Sequence, residues 1–151
     1  MGQGQAGRMG RGGQGKDAMS RFLDTSIVVR YLTGDPPKLA DAAAEILDGE
    51  AEVRLTDMVI VETAYVLTSV YGVPREFVVD SLMALLQKKN VGLFALDKQL
   101  ALEALLLCRP SGRVSFADAF IWAAAKAHGA EVIYSFDERF PTQDVEVRRR
   151  A

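Results

Sequence analysis

A single carboxylate, that of Asp24, interrupts the apolar run of residues 22–29. Short apolar segments of this kind form buried strands or the beginnings of buried helices. A carboxylate that is removed from water must be protonated, paired with a cation or bound to a metal ion, because an isolated buried charge is strongly unfavourable. The pattern therefore predicts that the fold brings a partner to a buried Asp24.

Three more acids, Glu62, Asp118 and Asp137, lie in segments with few other charges. Asp24 and Asp137 each follow a predicted strand, and ligands of open α/β sheets bind at the carboxyl ends of the strands. Four carboxylates that converged there without cations would raise one another's pKa. Oxygen ligands without a cysteine or histidine cluster favour Mg²⁺ or Mn²⁺ over zinc. The four acids together predict a divalent metal site.

Each acid also has a simpler structural explanation. Asp24 could be a helix N-cap, and Glu62 could lie at the edge of a buried helix face and reach water. Ser115 followed by Asp118 resembles a capping box, with Asp in place of the usual Glu or Gln. Asp137 could cap a turn or form an ion pair. The sequence leaves these explanations open.

Predicted strands alternate with predicted helices along the chain, which indicates an α/β fold with a mainly parallel sheet covered on both faces. The strands are expected at residues 21–24, 53–55, 91–96, 131–134 and 144–147. The helices are expected at residues 25–32, 38–47, 56–71, 74–86, 97–108 and 115–128, with Thr25 or Ser26 capping the first.

The 151 residues favour one domain, which we place at residues 19–151. Residues 1–18 hold seven of the 13 glycines and are expected to be a disordered tail, because they offer almost no apolar surface to bury. The net charge of −2 argues against broad electrostatic binding of nucleic acid but allows a local basic groove. Cys108 is the only cysteine, which fits a reducing, cytoplasmic location.

The acidic segments resemble, in order and spacing, the four acidic motifs of the PIN domain. They are residues 23–26, 61–62, 115–119 and 134–137, the last followed by Phe140. The resemblance covers residues 20–147 and is greatest to the VapC-like toxin ribonucleases of bacterial and archaeal toxin–antitoxin pairs. It implies a PIN-like three-layer α/β/α fold around a central, mainly parallel sheet of four to five strands.

The resemblance also implies a metal-dependent endoribonuclease that uses Mg²⁺, with Mn²⁺ as a substitute, on single-stranded or looped RNA. The implied catalytic and metal-binding residues are Asp24, Glu62, Asp118 and Asp137. The implied supporting residues are Thr25, Ser26 and Ser135. Ser26 departs from the family, in which an Asn is common at this position. The implied partners are the RNA substrate, a cognate antitoxin protein and a second copy of the chain in a homodimer.

Two other functional classes are compatible with the sequence. The first is a PIN protein without toxin activity, either a nuclease of RNA processing or a catalytically silent binding protein. The second is a phosphatase of the haloacid-dehalogenase type with Asp24 as nucleophile, although that chemistry requires an Asp where this chain has Ser26. The helical spacing beside apolar residues predicts core positions rather than base-stacking ones for four aromatics, which are Tyr65, Tyr71, Phe77 and Trp122.

Overall fold

The computed structural model describes residues 20–151, so the expectation for the tail at residues 1–18 lies outside the described residues. Six helices and four short strands follow one another in this part of the chain. They are α1 (Thr25–Thr33), α2 (Pro37–Leu47), β1 (Val53–Leu55), α3 (Asp57–Ser69), α4 (Arg75–Leu86), β2 (Val91–Leu93), α5 (Lys98–Cys108), α6 (Phe116–Ala127), β3 (Val132–Tyr134) and β4 (Glu146–Arg148). The predicted α/β class is confirmed.

The strand pairings are parallel, as predicted, but they form two separate two-stranded ladders among the described residues. In the first ladder Val53 of β1 lies opposite Val91 of β2. The predicted first strand is reduced to one bridge between Phe22 and Arg54. It is this short because α1 begins at Thr25, which leaves no residues to extend the pairing. The second ladder joins β3 to β4.

The helix boundaries follow the capping residues of the sequence. Thr56, Asp97 and Ser115 are the N-caps of α3, α5 and α6, and their side chains accept hydrogen bonds from backbone N–H groups of the first turn. These bonds satisfy donors that have no partner within the helix. The cap of α1 is Asp24, one residue earlier than predicted, because its backbone is extended and its carboxylate accepts from the N–H of Ser26.

Small residues let the central helices of the core approach one another closely. α3 packs against α1 and α6, and α6 packs against α5. Ala64 of α3, Ala104 of α5 and two alanines of α6, Ala119 and Ala123, are fully buried at these contacts. Leucine, isoleucine and valine side chains fill the remaining interior, each contributing about 1.5–3 kcal/mol when fully buried. No helix within residues 20–151 is both long and apolar enough to cross a bilayer.

The predicted core aromatics divide into one buried and three exposed residues. Trp122 is buried, and its Nε1–H donates to the carbonyl oxygen of Gln143 at 2.8 Å. Tyr65, Tyr71 and Phe77 are 64%, 39% and 59% exposed, so the prediction of core positions is wrong for all three. Helical spacing identifies residues that share a face, but it does not say which face another element covers.

Candidate metal centre

Asp118 lies in the first turn of α6, where the backbone orients it. Its N–H donates to the Oγ of the N-cap Ser115 at 3.0 Å, as the capping pattern predicts. The side chain is half-buried. Burial raises the pKa of the Asp118 carboxyl, hydrogen bonding from Ser115 opposes this rise, and the nearby Asp137 carboxylate adds to it.

Asp137 is held by a turn just beyond β3. Ser135 donates its N–H to the carbonyl oxygen of Arg148 at 3.0 Å, which continues the β3–β4 pairing by one residue. The Oγ of Ser135 accepts from the N–H of Asp137 at 3.1 Å. The carboxylate of Asp137 in turn accepts from the N–H of Arg139 at 2.8 Å. Ser135 thus directly supports the backbone of Asp137.

The structure therefore brings together two of the four predicted acids, one from the start of α6 and one from the end of β3. The Asp137 carboxylate raises the pKa of Asp118, which indicates that the two carboxylates lie near each other. Two neighbouring carboxylates repel each other when both are ionised. A cation between them would relieve this repulsion.

Asp24 is exposed, so the prediction of a buried charge at this position is wrong. The run around it is apolar, but Asp24 lies where the chain turns from the Phe22 bridge into α1. Its Oδ2 accepts from the Oγ of Ser26 at 2.6 Å and from the N–H of Ser26 at 3.2 Å. The hydroxyl of Ser26, followed by its N–H, lowers the pKa of Asp24. Ser26 thus fixes this carboxylate. Thr25 beside it is buried.

Glu62 is exposed on α3, the helix that packs against both α1 and α6. Met58 and Tyr65, one turn to either side, are also exposed. The expectation that Glu62 reaches water from the edge of a buried face agrees with this position. Its helix nevertheless lies between the helices that carry Asp24 and Asp118.

Within residues 20–151, no group of three or more acidic, histidine or cysteine side chains is placed to hold a metal ion. Asp24 and Glu62 therefore do not join Asp118 and Asp137 in one ligand group. The pair alone fits Mg²⁺, which binds through oxygen and is commonly held by one or two carboxylates while it keeps several waters. A half-buried Asp118 beside Asp137 meets that requirement.

Arg75 braces the segment that leads into α6, a role that no sequence pattern predicted. Its Nη1 donates to the carbonyl oxygens of Cys108 and Val114, at 3.3 and 3.0 Å. Its guanidinium lies 4.6 Å from the ring centroid of Phe116. These contacts join the start of α4 to both ends of the loop between α5 and α6. Arg75 therefore stabilises the turn that carries Asp118.

The comparisons with known proteins identify the family of this chain. The family model of the PIN domain matches residues 21–145. A comparison with curated proteins gives no significant match. PIN domains are typically nucleases and generally bind divalent metals. Because the match covers most of the chain and includes the four predicted acids, the protein belongs to the PIN domain family.

Proposed function

We propose that the protein is a Mg²⁺-dependent endoribonuclease that cleaves single-stranded or looped RNA, and that it is the toxin of a type II toxin–antitoxin pair. The observation that carries the nuclease proposal is the pairing of Asp118 with Asp137 in a chain of the PIN family. The toxin assignment rests on the resemblance of the acidic motifs to those of VapC-like proteins.

In this proposal Asp118 and Asp137 bind the ion, and Asp24 and Glu62 approach it from the neighbouring helices α1 and α3. A bound Mg²⁺ supplies an activated water and neutralises charge on the phosphodiester as it is attacked. Ser26 holds the Asp24 carboxylate ionised and oriented. In this proposal Asp24 joins the ligands only when the ion is bound, and it does not act as a covalent nucleophile, which separates this chemistry from that of the phosphatase alternative.

The proposed homodimer and antitoxin complex require apolar surface, and the structure offers one between α3 and α6. A groove of about 240 Å³ lies there. Its lining residues are Asp57, Met58, Val61, Ala117, Phe120, Ile121 and Ala124. Met58 and Ile121 are exposed there. Exposed apolar patches mark interaction sites, and we assign this groove to protein–protein contact.

A catalytically silent PIN protein is the second candidate. The dispersion of Asp24 and Glu62 away from the Asp118–Asp137 pair favours it, because a binding protein does not need all four acids at one ion. The two candidates differ in one observable, which is phosphodiester cleavage that depends on metal.

The test is incubation of the purified protein with labelled single-stranded RNA in Mg²⁺, in Mn²⁺ and in excess chelator. The proposal predicts cleavage with either metal and none in chelator. Asp118→Asn and Asp24→Asn should abolish cleavage in folded protein. Asp97→Asn is the matched control for Asp24→Asn, because Asp97 is also an exposed N-cap but lies on α5. Cleavage in chelator, or by Asp118→Asn, would contradict the proposed function.

The toxin assignment has a separate test, in which the protein is expressed from an inducible promoter in bacterial cells. The assignment predicts growth arrest by the parent chain and normal growth with Asp118→Asn at equal protein level. Metal-dependent cleavage in vitro without growth arrest would favour the nuclease of RNA processing.

A further inference from the structure

Phe136 is the most exposed of the large apolar side chains that the structure describes, at 87% of its surface. It lies between Ser135 and Asp137, at the edge of the proposed metal site. Burying a phenylalanine side chain is worth about 1.5–3 kcal/mol. The folded protein does not obtain this stabilisation from Phe136, although the nearby aromatic Phe140 is buried.

The backbone on both sides of Phe136 is fixed, and this keeps the ring at the surface. The N–H of Ser135 donates a hydrogen bond to the carbonyl oxygen of Arg148 in β4, and the N–H of Asp137 donates one to the Oγ of Ser135. The N–H of Phe140 donates to the carbonyl oxygen of Asp137 at 3.2 Å. Tyr134, the last residue of β3, is also exposed, whereas Ile133 before it is buried.

Arginines at the end of β4 contact the segment that carries this ring. Tyr134 of β3 is paired in register with Arg148 of β4, and the next residue, Arg149, contacts the turn after Phe136 through an ion pair with Glu138 at 2.9 Å. Both side chains of that ion pair are largely exposed. Exposed ion pairs contribute little to stability, so Arg149 can exchange Glu138 for an incoming phosphate. Arg150 follows and is exposed.

We define the aromatic–arginine surface as Tyr134, Phe136, Arg148, Arg149 and Arg150. We propose that this surface binds single-stranded RNA, with a base stacked on Phe136 and neighbouring phosphates on Arg149 and Arg150. Aromatic rings flanked by cations are the usual means of binding single strands. Bases within an A-form duplex are stacked in the helix and unavailable to such a ring.

The position of this surface assigns it to the substrate. Phe136 immediately precedes Asp137 in the chain, so an RNA strand bound at Phe136 would pass close to the Asp118–Asp137 pair. In a chain with a net charge of −2, a run of three arginines beside the acids also supplies a local attraction for phosphate. The role as a substrate site rests on the proposed function, whereas RNA binding itself does not.

The first experiment measures the affinity for a short labelled single-stranded RNA by fluorescence anisotropy in excess chelator, so that no cleavage occurs. Phe136→Ala should weaken binding about 5- to 150-fold, since stacking of one base on an aromatic ring is worth roughly 1–3 kcal/mol. Phe136→Leu should weaken it as much, and Phe136→Trp should retain the parent affinity. Phe77→Ala is the matched control, because Phe77 is an exposed phenylalanine on α4, and it should change nothing.

The second experiment measures the salt dependence of the same affinity. Arg149→Ala and Arg150→Ala should each lower the slope of log K against log salt concentration by about 0.7, the contribution of one phosphate contact on a single strand. Arg109→Ala removes an exposed arginine that pairs with Asp80 and should leave the slope unchanged. A duplex of the same sequence should bind the parent chain more weakly than the single strand.

Equal affinities of the parent chain and Phe136→Ala, or of Phe136→Leu and Phe136→Trp, would overturn the proposal and leave Phe136 as a surface for a protein partner. Tighter binding of the duplex would overturn it as well. Binding that follows the predicted order in a protein that never cleaves RNA would support this surface and contradict the proposed function. Cleavage by Phe136→Ala with an unchanged KM would support the proposed function and contradict the role of this surface in binding the substrate.

Discussion

Asp118 and Asp137 come from sequence positions 19 residues apart and interact through their carboxylates. Burial raises the pKa of Asp118 first, and the charge of Asp137 raises it further against the opposing hydrogen bond from Ser115. The protein therefore holds two acids together although their ionised forms repel each other. Natural proteins accept such local conflicts chiefly at functional sites.

We predict that Asp118→Asn does not destabilise the protein, although it abolishes activity. The folded state binds the Asp118 proton more tightly than the unfolded state, whose pKa is near 3.8. This group therefore lowers the free energy of unfolding as the pH rises through that range, and the full penalty remains at pH 7. Thermal unfolding of both chains at pH 7 in chelator checks this. A lower melting temperature of the variant would contradict the assigned electrostatic conflict.

We predict that Ser26→Ala raises the pKa of Asp24 towards its ordinary value, because the Ser26 hydroxyl is the main cause of the lowering. Cleavage should fall about 10- to 100-fold, the usual effect of removing a group that orients a metal ligand. Ser26→Asn, which introduces the residue common in the family, should retain most of the activity. A carbon-detected NMR titration of the Asp24 carboxyl, together with the cleavage rate, tests both effects. An unchanged pKa in Ser26→Ala would rule out this positioning role.

We predict that Arg75→Met lowers the free energy of unfolding by about 1.5–3 kcal/mol, because a charged donor to two carbonyl oxygens is lost while the aliphatic stem is kept. Urea unfolding measures this effect. Arg113→Met is the control. Arg113 is exposed in the loop between α5 and α6 that Arg75 contacts, and its replacement should change stability little. Equal stabilities of the two variants would show that Arg75 does not brace the segment before α6.

We predict that Cys108 resists alkylation in the folded protein at pH 8. Burial raises the pKa of its thiol to about 11, and the Sγ contacts the carbonyl oxygen of Ser115 at 3.7 Å. Iodoacetamide labelling followed by mass spectrometry should give modification only after unfolding. The unfolded thiol ionises near pH 9.0, so this group should also reduce stability as the pH rises from 9 to 11. Rapid labelling of the folded chain would contradict the buried position.

Local sequence signals predicted much of this fold. The N-caps Asp97 and Ser115 set the starts of their helices, because short polar side chains satisfy the free N–H groups of a first turn. The contacts of Arg75 could not be predicted. Its guanidinium reaches backbone carbonyl oxygens that lie 33 and 39 positions further along the chain, and a backbone carbonyl carries no sequence signal. The exposure of Asp24 was missed because apolar neighbours indicate a buried segment without showing where the chain turns to the surface.

Among the aromatic residues, Phe136 was missed for a related reason. Phe136 lies just beyond the end of β3, where the alternation of side chains along the strand no longer applies. Its exposure depends on how the turn after β3 packs, which cannot be derived from the segment itself. The sequence motif drew attention to Ser135 and Asp137 on either side of it instead.

Titration with Mn²⁺, followed by electron paramagnetic resonance of the free ion, measures most directly whether Asp118 and Asp137 bind a divalent ion. We predict saturable binding by the parent chain and a loss of binding in Asp118→Asn and in Asp137→Asn. Glu138→Gln removes an exposed acid next to Asp137 and should bind as the parent does. Absence of saturable binding in the parent chain, or equal binding in Asp118→Asn, would show that this pair is not a metal site.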